Sequence, residues 1–162
     1  MKPLRQYRGF EKVKIKNQIK LSILTMPENV PLARVTVAAF ASQLEFNLDE
    51  LEDIKVAVSE AVTNCLVHGY SNDRNRTVNI VCSIYDNTLE IIVEDEGVGI
   101  TDVSKALQPA FSTDPERMGL GFTFMQSFMD NLEVRSEISK GTRVTMTKRP
   151  QQDLAAAASE EN

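Results

Sequence analysis

One histidine, two cysteines and no tryptophan in 162 residues leave little from which to build a metal centre. Cys65 and Cys82 stand far apart, in no Cys-x-x-Cys pair, each among apolar neighbours. A zinc site needs several nitrogen or sulfur ligands in close spacing, so none is expected. The pair reads instead as two reduced, buried thiols of a cytoplasmic protein. No apolar run approaches the roughly 18–20 residues that span a bilayer. The basic N-terminus lacks the apolar stretch of a secretory signal. Also missing are a Walker-type G-x-x-x-x-G-K-[ST] loop, a dinucleotide G-x-G-x-x-G fingerprint and the H-R-D motif of eukaryotic-type kinases. Any nucleotide must therefore be held by some other arrangement.

What is present is a chain of one-domain size with 42% apolar and 25% charged residues, enough to bury a core without staples. Its charge is unevenly spread. Residues 1–20 carry seven bases (Lys2, Arg5, Arg8, Lys12, Lys14, Lys16, Lys20) and one acid, Glu11. Residues 21–162 carry 11 bases and 22 acids. An acidic body repels phosphodiester backbones, which argues against direct nucleic-acid binding and for a basic partner.

Gln18–Met26 alternates polar and apolar residues, as a half-buried strand does. Asn29–Phe46 reads as a helix, with Leu32, Val35, Ala39 and Leu44 near one face, Asn29 as cap and Pro31 in the first turn. A second helix from about Asp49 to Val67 has the core stripe Leu51, Ile54, Val58, Val62, Leu66, and Gly69 ends it. Val78–Tyr85 and Leu89–Glu94 predict a hairpin around Asp86-Asn87. A short helix near Asp102–Leu107 precedes the irregular stretch Ser112–Arg117. Gly119-Leu120-Gly121 opens a third long helix through Asp130, and Leu132–Glu137 with Thr142–Thr147 forms a closing hairpin. The tail from Arg149 is expected to fray. This order predicts an α+β fold, a two-layer sandwich whose mixed, mostly antiparallel sheet carries helices on one face.

Three clusters carry chemistry. Glu60, Asn64 and His68 recur at i, i+4, i+8 on the second helix and share a face. That face is either its solvated edge or a carboxylate able to take a hydroxyl proton, one turn from an amide oxygen that can ligate Mg²⁺. Asp95-Glu96-Gly97-Val98-Gly99 follows a strand. It is either a tight turn or a carboxylate set to accept a hydrogen bond from an exocyclic amine such as adenine's, with glycines admitting a flat base. Gly119-Leu120-Gly121 opens a helix, as a simple cap or as a seat for phosphate.

The ordered set Glu60…Asn64, Asp95-x-Gly97-x-Gly99, Gly119-x-Gly121 and Gly141-Thr142 resembles the boxes of the GHKL ATPase/kinase superfamily, which implies the Bergerat fold and Mg-ATP. Within it, Ala33–Phe40, Val58–Asn64 with His68-Gly69-Tyr70, and Gly121-Phe122-Thr123 with Phe128-Met129-Asp130 resemble the anti-sigma-F factors of sporulating bacteria. The likeness spans residues 16–148 and leaves 1–15 as an unmatched basic arm and 149–162 as a tail expected to be disordered. It implies a homodimeric protein serine/threonine kinase that sequesters a sigma factor and phosphorylates an anti-anti-sigma factor. A general-stress anti-sigma kinase and a non-catalytic ATP-dependent sigma-binding module are the alternatives. By the resemblance, Glu60 is the general base and Asn64 the Mg²⁺ ligand. Asp95, Gly97, Gly99 and Thr142 hold the adenine, and Gly119, Gly121 and Arg117 hold the phosphates under a lid at Ser112–Met118. Arg34 touches partner proteins. The lid is about two residues shorter than is usual in the family, and Asp114 stands where a base is common.

Overall fold

Along residues 78–84 every second side chain is apolar, and in the computed structural model Val78, Ile80, Cys82 and Ile84 all point into one core. The structure describes residues 7–8, 11–109 and 120–152. Tyr7–Arg8 (β1) and Glu11–Lys12 (β2) form a separate two-stranded ladder. The main sheet comprises β3 (Asn17–Leu24), β4 (Thr77–Tyr85), β5 (Thr88–Asp95), β6 (Asn131–Glu137) and β7 (Gly141–Lys148). Its order is β3-β4-β5-β7-β6. Every pairing among the described strands is antiparallel, so the expected mixed sheet is corrected to a purely antiparallel one. Each neighbour in space is reached by a hairpin or across the helical layer, and no parallel crossover is needed.

The helices α1 (Asn29–Ala41), α2 (Leu48–Asn64) and α4 (Gly121–Phe128) cover one sheet face. A short α3 (Val103–Ala106) sits beyond β5, capped by Asp102, whose carboxylate accepts from the Lys105 amide at 3.0 Å. The register stacks Cys82 on Ile91 and Ile91 on Met146, while Ile80, Val93 and Val144 line up beside them. Against this apolar strip α2 presents Ile54, Val58 and Val62, all fully buried, and α4 presents Met125. The two thiols are free and buried as expected, and burial pushes the Cys82 thiol up to about 12.

Several local expectations are corrected. α1 ends at Ala41, and its buried residues are Ala33, Val37, Ala38, Phe40 and Ala41. Leu32 and Val35, read as sharing one face of the helix, are 54% and 55% exposed. The inner face is the row Ala33, Val37, Phe40 and Ala41 at helical spacing, and Leu32 and Val35 fall on the other side of the helix. Asn29 does not cap this helix; its side-chain amide donates to the Leu24 carbonyl at 3.0 Å. α4 stops at Phe128 because Met129 is extended and the Asp130 amide joins β7 at the Thr147 carbonyl, 2.9 Å away. The tail is fastened at its start. The Arg149 amide donates to Asp130 at 2.7 Å and its guanidinium to Thr88 at 3.0 Å. The Gln151 amide donates to Glu50 at 2.9 Å.

Glu50 also closes a capping box that the sequence reading missed. Asn47 accepts from the Glu50 amide at 2.9 Å, and Glu50 accepts from the Asn47 amide at 2.9 Å. Two orphan donors of α2 are thereby satisfied, which holds the register of the helix carrying Glu60 and Asn64. Replacing Asn47 with alanine should cost about 1 kcal/mol, lowering the thermal midpoint by roughly 2–4 °C for a chain of this size. A calorimetric scan checks this; an unchanged midpoint would show that the box contributes nothing.

Candidate functional site

Three turns of α2 and its continuation run along one wall of a cavity of about 790 Å³. Glu60, Asn64 and His68 face it from that wall, Asp95 and Gly99 from the end of β5, and Thr142 and Val144 from β7. Leu120, Gly121 and Phe122 line it where the start of α4 meets α2. Val98, Ile100, Ala106, Leu120, Phe122 and Val144 give it apolar surfaces suited to a flat ring. The polar groups concentrate at its two ends.

At one end lies Asp95, 7% exposed. Burial pushes its carboxyl above the usual aspartate range, while the backbone at Gly97, the Cys65 thiol and the backbone at Thr142 favour the charged form. The Gly97 amide donates to Oδ1 at 2.8 Å. A buried acceptor facing an apolar slot selects a ligand that brings its own N–H donor into an otherwise dry place, as an aminopurine does. At the other end α4 begins after Leu120 without a side-chain cap among the described residues, which leaves its first amides available to a ligand in this reading. A Cβ on Gly121 would lie 3.0 Å from Glu60 Oε2 and 3.4 Å from Asn64 Oδ1. The carboxylate, the amide and the helix start therefore converge on one small space. Lys105 of α3 adds a cation to the wall.

The path between the two ends is built by an irregularity. After Asn64 the helix widens into a single π-helical turn, Cys65–Gly69, with the Tyr70 amide donating to the Cys65 carbonyl at 3.0 Å. The wide turn brings the Gly69 backbone against Asp95, where a Cβ would meet the carboxyl carbon at 2.9 Å. Gly97 lies behind Gly69, and any side chain there would run into the Gly69 carbonyl. Gly97 is not among the residues lining the cavity, and its lack of a side chain admits Gly69. The Val98 amide donates to the Gly69 carbonyl at 3.0 Å.

Of the predicted residues, Glu60, Asn64, Asp95, Gly99, Gly121 and Thr142 thus meet around one cavity. Arg34 is exposed on α1 and is not on the wall. Arg117, Gly119 and the lid at Ser112–Met118 lie outside the described residues. Cys65, Gly69 and Lys105 also line the cavity and were not expected as site residues. A π-turn leaves no periodic signal, and Lys105 reads as an ordinary helix-end lysine.

This fold and cavity define a histidine kinase-like ATPase domain, whose family model matches residues 23–148. The RsbU and RsbW domains of Rv1364c from Mycobacterium tuberculosis share the fold at TM-score 0.59 and 16% identity, over 83% of this chain and 32% of that one. The blue-light activated histidine kinase of Erythrobacter litoralis EL346 shares it at TM-score 0.54 and 20% identity, over 75% of this chain and 42% of that one. An anti-sigma F factor from Geobacillus kaustophilus (strain HTA426) is 50% identical over 136 residues, 83% of this chain and 93% of that protein. Another, from Clostridium acetobutylicum, is 49% identical over 137 residues, 83% of this chain and 95% of that protein. The chain belongs to the anti-sigma F factor family.

The raised Asp95 carboxyl gives opposite pH dependences for ligand binding and stability. As pH falls from 7, Asp95 takes up its proton earlier than an ordinary aspartate and loses its role as anionic acceptor. ATP affinity should then fall, at most about tenfold per pH unit. Because the folded carboxyl is raised above its unfolded value, its buried charge costs stability at neutral pH, and that cost is relieved as pH falls through the raised value. Relative to Asp95→Asn, the free wild type should gain stability with acidification while losing ATP binding. Titrations and melts of both proteins between pH 7.5 and 4.5 check this; identical profiles would contradict it.

Proposed function

We propose that this protein is an anti-sigma factor and a protein serine kinase. It holds a sigma-F-type factor away from RNA polymerase and uses Mg-ATP to phosphorylate a serine of its anti-anti-sigma factor. The observation that carries the reading is the meeting of Glu60 and Asn64 at the uncapped start of α4, across the cavity from Asp95. Adenine would sit at Asp95 and Thr142, with its phosphates reaching toward Gly121. Glu60 takes the proton of the acceptor serine hydroxyl as the oxygen attacks the terminal phosphorus. The donor set suits Mg²⁺, which keeps most of its shell from water and phosphate and asks the protein for few oxygens. Asn64 Oδ1 is the ligand this chain offers, and the bound ion would neutralise phosphate charge. Gly119 and Arg117 complete the phosphate end in this reading.

Partner recognition falls on α1. Arg34 is exposed there, and Leu32 and Val35 flank it with apolar surface. A cation set in an exposed apolar stripe suits a protein partner presenting an acidic group. Among the described residues no helix is long and apolar enough to cross a membrane. The working form in this reading is a cytoplasmic homodimer. The relatives named anti-sigma F factors favour the sporulation sigma factor over a general-stress one.

Incubation with γ-labelled ATP and the cognate anti-anti-sigma protein should place label on serine. Glu60→Gln should bind ATP within about threefold of wild type yet transfer phosphate at least a hundredfold more slowly, the usual scale of general-base loss. Full transfer by Glu60→Gln would remove Glu60 from the chemistry. ATP-dependent sigma binding without any phosphoprotein would make the protein a non-catalytic binding module.

A further inference from the structure

Tyr70 follows the π-turn and does not touch the cavity, yet its hydroxyl joins two segments that shape it. The Glu96 amide donates to Tyr70 Oη at 2.7 Å, and the hydroxyl donates in turn to the Thr77 carbonyl at 2.8 Å. Glu96 lies between Asp95 and Gly97, within the turn whose carboxylate sits at the cavity's end. Thr77 is the first residue of β4, across the sheet from that turn's own strand. The ring is 8% exposed and held from outside by the Arg76 guanidinium, 5.3 Å from its centroid. One residue before it, Gly69 lies against Asp95 and accepts the Val98 amide. The chain segment 69–70 thus grips the Asp95 turn twice, through the Gly69 carbonyl at Val98 and through the Tyr70 hydroxyl at Glu96.

We infer that Tyr70 is a positioning residue for nucleotide recognition: its hydroxyl sets where the Asp95 carboxylate stands in the cavity and thereby sets selectivity for a 6-amino purine. The inference rests on the nucleotide reading above and deepens it. The mechanism is mechanical and local. The Glu96 amide is adjacent to the peptide that carries Asp95, so releasing it frees the turn at the residue next to the acceptor. Glu60, Asn64 and the start of α4 are held by α2 and α4, not by this hydroxyl, and keep their places. Loss of the hydroxyl should therefore weaken recognition of the base amine and leave the phosphate end intact.

Tyr70→Phe tests this, because it keeps the ring and its stack with Arg76 and removes only the bridge. The probes are ATP and its 6-deamino analogue, purine riboside triphosphate, titrated into wild type and variant by calorimetry, with a thermal scan of each protein. Tyr70→Phe should lose about five- to tenfold in ATP affinity, the size of one misplaced hydrogen bond to the base amine. It should lose less than twofold for the deamino analogue, and its rate at saturating ATP should stay within twofold of wild type. A merely structural role predicts equal losses for both nucleotides, and that outcome overturns the inference, as does no loss for either. If the phenylalanine variant melts too early to titrate, 3-fluorotyrosine at all tyrosines offers a milder change, a better donor and poorer acceptor at Tyr70. It should still shift ATP affinity more than analogue affinity, and equal shifts overturn the inference. Wild type binding neither nucleotide would overturn the nucleotide reading itself, a result distinct from a wild type that binds both while Tyr70→Phe is silent.

Discussion

The structure depends on one close approach of backbone to backbone, where Gly69 lies between the Asp95 carboxylate and Gly97. A side chain on Gly97 would collide with the Gly69 carbonyl, and one on Gly69 would press on Asp95. Two glycines are needed because the end of a helix is packed against the end of a strand with no layer of side chains between them. That contact couples the wall carrying Glu60 and Asn64 to the end of the cavity carrying Asp95. It also shields one side of the Asp95 carboxylate from water. The raised carboxyl of Asp95 is the energetic trace of that burial.

Around this contact the remaining architecture is conventional in its physics. An antiparallel sheet buries one face under helices, and α2 crosses it with a continuous stripe of Ile54, Val58 and Val62. The site sits where the core gives out, between the ends of β5 and β7 and the start of α4. β7 contributes through Gly141, whose φ of +104° and lack of a side chain let it pass beneath the Asp95 carbonyl. Thr142 follows directly and reaches the cavity. A buried acceptor at one end and converging polar groups at the other give the cavity a direction, and the proposed nucleotide would place its base toward Asp95 and its charge toward α4.

Much of this was legible in the sequence because it rests on periodicity and turn chemistry. The stripe of α2, the Asp86-Asn87 turn with both residues at positive φ, and the glycine-bearing loop after β5 each leave a local pattern. The union of Glu60, Asn64, Asp95, Gly121 and Thr142 was legible only through their order along the chain, since no local rule brings them together. What failed did so for physical reasons. The buried face of α1 is the row Ala33, Val37, Phe40 and Ala41, which competes at helical spacing with the row that holds Leu32 and Val35. Asn47 and Glu50 were overlooked as a cap although their spacing announces one. The π-turn was invisible because an added residue in a helix changes hydrogen-bond partners without changing composition. The support that Gly97 gives to Gly69 was not legible, because a glycine beside a ligand and a glycine beneath a backbone look alike in sequence.

The account stands on the claim that one nucleotide lies across this cavity with its base at Asp95 and its phosphates at Gly121. Amide chemical-shift mapping of the ¹⁵N-labelled protein with a non-hydrolysable ATP analogue and Mg²⁺ tests it most directly. The account predicts saturable shifts at Cys65–Gly69, Asp95–Gly99, Thr142 and Gly121, with Val81 and Ile92 on the far sheet face unmoved. Shifts centred elsewhere, or none that saturate, would contradict it.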